Sequence, residues 1–456
     1  MNSESIAGWA NAPLGQLATV VRGITFPATA KEAIPALDNV CCLRTSNIQK
    51  EVEWGGAYYV PTSYVKRNDQ FVRPGDVLMS MANSYELVGK IAIVSEVVHP
   101  SAFGAFLAAI RPNSGVHGRY LYHLLRTSRV QSELREGSTQ TTNIANISVS
   151  RLSEIDAPLP PLAEQKRIAD KLDTVLARVD AVNDHLARVA VLLKSFRRSV
   201  LAAAISGKVT EEWRASSDSA KKWVPCTIGD LLLEKPRNGY SPKSVDYPTA
   251  VRSLTLTATT TGRFCKERFK YLDISIEPSS HLWLQAGDVL IQRANTLEYV
   301  GVSAIVTGNV TGFIYPDLMM KCRPNGRTTA KFLHLLLSSE PVRTYFRENA
   351  TGTAGNMPKI NQKTVMSARC SLPTPEEQAE IVRRVELLQT YADRLEARLL
   401  AAQTAAERLT PALLAKAFRG ELVSQDPNDE PASELLRHLQ ANVSASKPQR
   451  GRRRFA

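Results

Sequence analysis

Asp156, followed by Glu164-Gln165-Lys166, comes nearest in this sequence to a catalytic constellation. An acid ahead of a Glu-x-Lys pair is a loose form of the pattern that holds Mg²⁺ in nucleases, so a self-contained Mg²⁺-dependent nuclease is one reading to weigh. Two features weigh against it. The chain contains an internal repeat in which Lys166 aligns with Ala379, and Glu164 falls in the first turn of an expected helix, where capping and the helix dipole explain a carboxylate. Other chemistry is harder to find. Ser206-Gly207-Lys208 has Ala202 where a phosphate-binding Gly-x-x-x-x-Gly-Lys-Ser/Thr loop needs glycine. No glycine fingerprint for S-adenosylmethionine or a dinucleotide follows a strand, no Asn-Pro-Pro-aromatic run occurs, and the seven histidines form no His-Glu-x-x-His. His123 and His334, on apolar helices, read as structural. The six cysteines show no Cys-x-x-Cys spacing, which predicts reduced thiols and no structural zinc. The reading is therefore of a chain with no catalytic residues, no metal and no cofactor of its own.

What the sequence offers instead is polar and basic surface for recognition. The stretches Gly137-Ser138-Thr139-Gln140-Thr141-Thr142-Asn143-Ile144 and 351–360 are rich in small hydroxyl and amide side chains, which suit phosphates and base edges. From them Thr139, Gln140, Thr141, Asn143, Thr353, Asn356 and Lys359 are candidate DNA contacts. Further candidates are Arg44, Thr45 and Asn47, then Lys66 and Arg67, then Arg252 with Lys266, Arg268 and Lys270 in a run interleaved with Phe264 and Phe269, and finally Arg293 with Asn295. A solvated strand edge is the competing explanation for each. The whole chain carries 57 Lys and Arg against 44 Asp and Glu, a formal charge of +13, so a polyanion is a fitting partner.

These residues sit on a tandem duplication. Gly75-Asp76-Val77-Leu78 recurs as Gly287-Asp288-Val289-Leu290, and 12 of the 20 positions in 75–94 are identical to those in 287–306. Arg111-Pro112 returns as Arg323-Pro324, and 159–209 aligns without a gap on 372–422. In the first of these long segments, Ile168, Leu172, Val175, Val179, Val182, Leu186, Val189, Leu193, Phe196 and Val200 are spaced 4, 3, 4, 3, which is a coiled-coil seam. Ile381, Val385, Leu388, Ala392, Leu395, Leu399, Ala402, Ala406, Leu409 and Leu413 repeat it. The spacing predicts a helix over 163–205, about 64 Å long at ~1.5 Å per residue. Its partner begins with Thr374, Pro375 and Glu377 arranged as a capping box. Two copies packed about a pseudo-two-fold would run these helices antiparallel, with one globular domain at each end of a rod. Each domain should mix strands (76–81, 90–94 and 107–111 in the first) with a helix near 120–136, or 331–348 in the second.

The fold class is thus α/β: two mixed α/β domains joined by two long antiparallel coiled-coil helices. The expected boundaries are 1–158 for the first domain, 159–213 for the central helix, 223–371 for the second domain and 372–424 for the distal helix. The remainder, 425–456, is expected to be a basic tail able to stay flexible. Nothing in the sequence has the ~20 uninterrupted apolar residues of a membrane helix, and the chain reads as cytoplasmic.

Taken together, the repeat, the Leu-Pro-x-x-x-Glu-Gln helix starts, the Gly-Asp-Val-Leu blocks and the Asp-Pro-Asn-Asp-Glu-Pro-Ala-Ser-Glu-Leu-Leu run at 426–436 resemble the specificity subunit of type I restriction-modification enzymes, over essentially the whole length. The resemblance implies two target-recognition domains that each read half of a bipartite, nonpalindromic double-stranded DNA site. It also implies two helices that set the half-site spacing and bind two methyltransferase subunits. S-adenosylmethionine, ATP and Mg²⁺ would then belong to the methyltransferase and restriction subunits, and this chain would be non-catalytic. Apolar residues outside the seam fit a protein partner: Val191, Leu201, Ile205, Leu387, Leu400, Leu414 and Phe418 are expected to be exposed. Packing against the globular domains is the alternative for them, and a protein-only coiled-coil adaptor is the alternative for the chain.

Overall fold

A computed structural model of the chain describes residues 6–140, 144–216, 222–352 and 357–445. The chain divides into two compact units, Met1–Leu186 with Ala401–Ala456, and Ala187–Leu400. Each unit therefore holds one globular domain, half of the first long helix and half of the second.

The first domain is organised by the antiparallel four-stranded sheet Ala18–Arg22, Leu107–Pro112, Val77–Ser80, Ile91–Ile93, in that spatial order. Val77, Leu78, Met79 and Ser80 are all buried, because this strand has one face on the helical core and the other on a second, smaller core. A three-stranded mixed sheet, Tyr58–Pro61, Asn39–Leu43, Ser101–Phe103, covers that smaller core. The second domain repeats the plan. Its four-stranded sheet runs Arg237–Asn238, Met319–Cys322, Val289–Gln292, Ser303–Ile305, and its three-stranded sheet runs Phe269–Leu272, Val251–Leu254, Phe313–Ile314.

The repeated sequence blocks are the hinges of this plan. Gly75 and Gly287 open the turns before the central strands at φ +86° and +94°, a region open to glycine at no steric cost. The aspartate that follows is buried and binds the repeated arginine. Arg111 donates to both oxygens of Asp76 at 2.6 and 2.8 Å, and Arg323 to both of Asp288 at 2.5 and 3.2 Å. Buried charges survive only when paired in this way.

The long helices span Leu162–Ile205 and Pro375–Ala417. In the first unit Ile168, Ala169, Leu172 and Leu176 share a core with Leu414 and Ala417, so the start of one helix meets the end of the other. In the second unit Val200 and Ala204 share a core with Ile381 and Val385. The helices are antiparallel in both. The seam is deepest near these ends, whereas Val182 and Val189 are exposed.

Four expectations are corrected. The single helices expected at 120–136 and 331–348 are each two, Gly118–Leu125 with Ser128–Glu136 and Ala330–Ser338 with Glu340–Glu348. Thr127 caps the second helix of the first pair, and Pro341 opens that of the second pair. The capping box at Thr374 is half formed: Thr374 Oγ1 accepts from Glu377 N at 3.3 Å, but the Glu377 carboxylate turns inward instead. Leu414 and Phe418 are not exposed on the helix. Leu414 is buried and Phe418 packs with its ring centroid 5.2 Å from that of Tyr120, because the first domain folds against this end of the helix. The segment 425–456, expected to be free to flex, holds a helix at Ala432–Ala445 whose Ala432 and Leu439 enter the first unit's core.

Candidate nucleic-acid interface

The Leu-Pro-x-x-x-Glu-Gln helix starts tie each domain to its helix. Gln165 Nε2 donates to the Pro160 carbonyl and Gln378 Nε2 to the Pro373 carbonyl, at 2.9 and 3.0 Å. Glu164 Oε2 accepts from Trp9 Nε1, and Glu377 Oε2 from Trp223 Nε1, both at 3.0 Å. Glu377 Oε1 also accepts from Thr210 Oγ1 at 2.8 Å and Arg214 Nη1 at 2.5 Å. Glu164 Oε1 has no partner among the described residues, and burial pushes the Glu164 carboxyl above its ordinary range. Glu164 thus serves the domain junction and faces inward, while Lys166 is exposed to solvent. The Asp156, Glu164, Lys166 set does not converge on a metal, and no cluster of three metal-ligating side chains occurs among the described residues.

The buried His123 and the half-buried His334 also serve packing. His123 lies 2.8 Å from Asp173 on the long helix, and His334 Nδ1 lies 2.9 Å from Ser303 Oγ. Burial drives both imidazoles down to about 4, so they are neutral at physiological pH.

The surface with recognition chemistry is a cleft that recurs at the same place in each domain. In the first, Thr139–Gln140 pairs with Ala145–Asn146, which pairs with Ala82–Asn83. Met81 N donates to the Phe106 carbonyl and Ile147 N to the Met81 carbonyl, both at 2.8 Å. The cleft enclosed is about 610 Å³, lined by Arg22, Phe106, Thr139, Asn146, Ser148 and Ser150 among others. In the second domain Lys359 bridges to both Thr351 and Ala294. Arg293 N donates to the Leu318 carbonyl at 2.8 Å, and Ile360 N to the Arg293 carbonyl at 2.9 Å. This cleft, about 540 Å³, is lined by Leu318, Thr351, Gly352, Met357 and Lys359. The backbone framework is the same in both, so Lys359 stands where Asn146 stands, Leu318 where Phe106 stands and Arg293 where Met81 stands.

The structure therefore gathers Thr139 into one cleft and Lys359 into the other. Gln140 follows Thr139 on the same edge strand and is exposed, and Arg293 and Asn295 flank the second cleft. Asn295 Nδ2 donates to Gln292 Oε1 at 2.6 Å, and Arg293 Nη1 to the Asp317 carbonyl at 3.3 Å. Thr141, Asn143, Thr353 and Asn356 lie outside the described residues.

The remaining candidates sit elsewhere on the domains. Asn47 is corrected: it is 1% exposed, accepts from Arg44 N, and gives its amide hydrogens to the carbonyls of Glu53 and Gly55 at 2.7 and 2.9 Å. It builds the loop and has no surface to offer a base. Its neighbour Thr45 is half-buried, and Arg44 is exposed and stacks 4.6 Å from the Tyr58 ring centroid. Lys66 is exposed, and Arg67 pairs with Asp69 at 3.0 Å. Arg252 is held over the Phe313 ring at 4.4 Å and donates to the Thr311 carbonyl. Lys266, Arg268 and Lys270 project to solvent while Phe264 and Phe269 pack into the core, which is why the run alternates.

Sequence reading passed over Arg22, Phe106, Asn146, Ser148 and Ser150. The repeat does not single them out: around Phe106 and Asn146 the neighbours change between the halves as well, with Ala105 and Leu107 standing against Asp317 and Met319 and Ala145 against Pro358. Of the apolar candidates, Val191, Leu387 and Leu400 are exposed at 69%, 63% and 64%. Leu201 and Ile205 are half-buried along a groove of about 840 Å³ that also touches Arg198, Glu340 and Pro341.

Residues 7–189 match a family model described as the type I restriction modification DNA specificity domain. The chain is similar to the specificity subunit of the type I restriction enzyme EcoKI of Escherichia coli (strain K12), with 32% identity over 453 residues, 96% of each chain. It is 31% identical over 454 residues to the StySPI specificity subunit of Salmonella potsdam, again 96% of each. The HsdS subunit from Thermoanaerobacter tengcongensis shares the fold, with 19% identity and a TM-score of 0.57 over 92% of this chain and all of that one. A chain from a structure of type I R-M complex assembly and conformational transition superposes with a TM-score of 0.69 at 19% identity, over the same shares.

Proposed function

Since this chain belongs to the type I restriction enzyme specificity subunits and is a DNA specificity subunit, we propose that it reads a bipartite, nonpalindromic double-stranded DNA site, one half with each of its two clefts. The observation that carries this reading is the recurrence of one cleft framework with two unlike linings. A shared framework lets both domains approach DNA in the same manner, and unlike side chains make the halves of the site unlike.

Within this reading Lys66, Lys266, Arg268 and Lys270 neutralise phosphates and set register, with Arg44, Thr45, Arg67 and Arg252 beside them. Base edges fall to the cleft residues Thr139, Gln140, Arg293, Asn295 and Lys359. The chain itself is non-catalytic and holds no cofactor. Two methyltransferase subunits carry S-adenosylmethionine, and restriction subunits, where present, use ATP and Mg²⁺. Val191, Leu387 and Leu400, with the groove along Leu201 and Ile205, form the surface that takes the methyltransferase subunits. The assembly acts in the cytoplasm; no helix among the described residues is long and apolar enough to cross a membrane.

The test is co-expression with methyltransferase subunits, followed by DNA binding of the purified complex across a salt series. Phosphate neutralisation predicts a logarithmic affinity slope of about −0.9 for each contact. A complex that forms but binds DNA with no salt dependence would return the chain to a protein-only adaptor. Val191→Glu with Leu387→Glu should abolish co-purification of the methyltransferase subunits while leaving the chain folded.

A further inference from the structure

The two clefts differ in a way that matches the two kinds of base pair. Resting on the reading above, we propose that the first domain's cleft selects an A·T pair through Asn146 and Phe106, and the second domain's cleft selects a G·C pair through Lys359 and Arg293.

The argument begins with the major-groove edges. An A·T pair presents an acceptor and a donor on adenine, plus the thymine methyl group, whereas a guanine presents two acceptors, N7 and O6. An amide side chain, which donates and accepts, complements adenine. An ammonium or guanidinium, which only donates, complements guanine. Asn146 is exposed on the middle strand of the small sheet at the first cleft. Across that cleft Phe106, 63% exposed, supplies an apolar face for a methyl group. In the second domain the position of Asn146 is Lys359, also exposed, and the residue corresponding to the buried Met81 is Arg293. Phe106 is replaced there by the half-buried Leu318. The exchanges of an amide for an ammonium, of a buried Met for a guanidinium and of an aromatic ring for Leu318 are thus concentrated where the backbone frameworks coincide, and a change in framework cannot account for them.

The experiment uses the assembled complex with its methyltransferase subunits. Sequencing of methylated bases in host DNA gives the wild-type motif, and competition binding with duplexes substituted one pair at a time gives discrimination at each position. Asn146→Lys should lower discrimination for one A·T pair in one half-site, and Lys359→Asn for one G·C pair in the other, by roughly 5- to 150-fold each. The opposite half-site should be unchanged in each variant. Both residues are exposed, so the complex should assemble normally, and its recovery checks this. If Lys359→Asn instead weakens binding equally for all sequences and reduces the salt slope by about 1, Lys359 is a phosphate contact and the proposal is overturned. Loss of discrimination at an A·T pair through Lys359→Asn, or at a G·C pair through Asn146→Lys, overturns it as well. A wild-type complex that yields no motif at all would instead overturn the DNA-reading function on which the proposal rests.

Discussion

Asp76 and Asp288 open the same turn in the two domains, and each clamps the arginine of the repeated Arg-Pro pair. Around Asp288, however, the second domain has added Lys321, which is 3% exposed and lies 3.7 Å from the carboxylate. Lys321 gives a further hydrogen to the Trp283 carbonyl at 2.8 Å, and its ammonium is held below the ordinary lysine range by burial, which the carboxylate opposes. The carboxylates at the helix starts differ likewise: Glu377 has three side-chain donors, whereas Glu164 has one. The clefts differ most of all. The comparison teaches that the buried carboxylates pinning each domain, Asp76 with Asp288 and Glu164 with Glu377, keep their residue type in both halves because a substitution there strands a partner, whereas a cation such as Lys321 is added in one half alone. The cleft linings bear no such constraint and can change freely with the sequence to be read.

The largest effect that can break this comparison is on the buried aspartates. Asp288→Ala strands two cations and should cost about 5 kcal/mol, while Asp76→Ala strands one and should cost about 3. Hydrogen exchange resolved by unit would check this, since the chain has two units and a single melting midpoint does not separate them. Equal losses would mean that Lys321 is not held by Asp288. Glu377→Gln should follow at about 2 kcal/mol, because a carboxylate bonded to Arg214 becomes a neutral amide. Glu164→Gln should cost less, having no arginine to strand.

Gly75→Ala and Gly287→Ala should each cost about 1 kcal/mol, and by the same amount. Both glycines are left-handed and neither would bring a Cβ within 4 Å of another residue, so only backbone strain is felt. The smallest effect is a pH slope. Glu164 is more easily protonated in the folded chain than in the unfolded one, so its contribution is fully present below 4.5, the ordinary value, and is lost as pH rises through its raised pKa. Wild-type chain should therefore lose stability relative to Glu164→Gln across that rise; parallel pH profiles would show that the carboxyl is solvated.

Much of the scaffold was legible in the residues. The 4, 3 spacing placed the first helix within one residue of its start, and Gly207 and Gly420 end the helices with φ of +74° and +70°. Periodicity works for the existence of the helices and for the burial of their ends, but not for their middle, where the seam residues Val182 and Val189 are exposed. It failed for Leu414 and Phe418, which share a core not with the opposing helix alone but also with a domain some 300 residues away in sequence. The clefts were half legible for the same reason. Thr139 and Lys359 were visible as members of polar loops, but Arg22, Phe106 and Asn146 come from three separate strands or turns and meet only in the folded domain. Asn47 was misread because a buried amide that satisfies loop carbonyls has the same letter as one that reads adenine.

The central claim is that one framework with two linings reads two unlike half-sites. Single-molecule sequencing of methylated bases in cells that express this chain with its methyltransferase subunits tests it most directly. The account predicts one motif split into two different halves by a spacer of fixed length and no preferred sequence. A single symmetric palindrome would contradict it, because clefts lined by Asn146 and Lys359 cannot read identical halves.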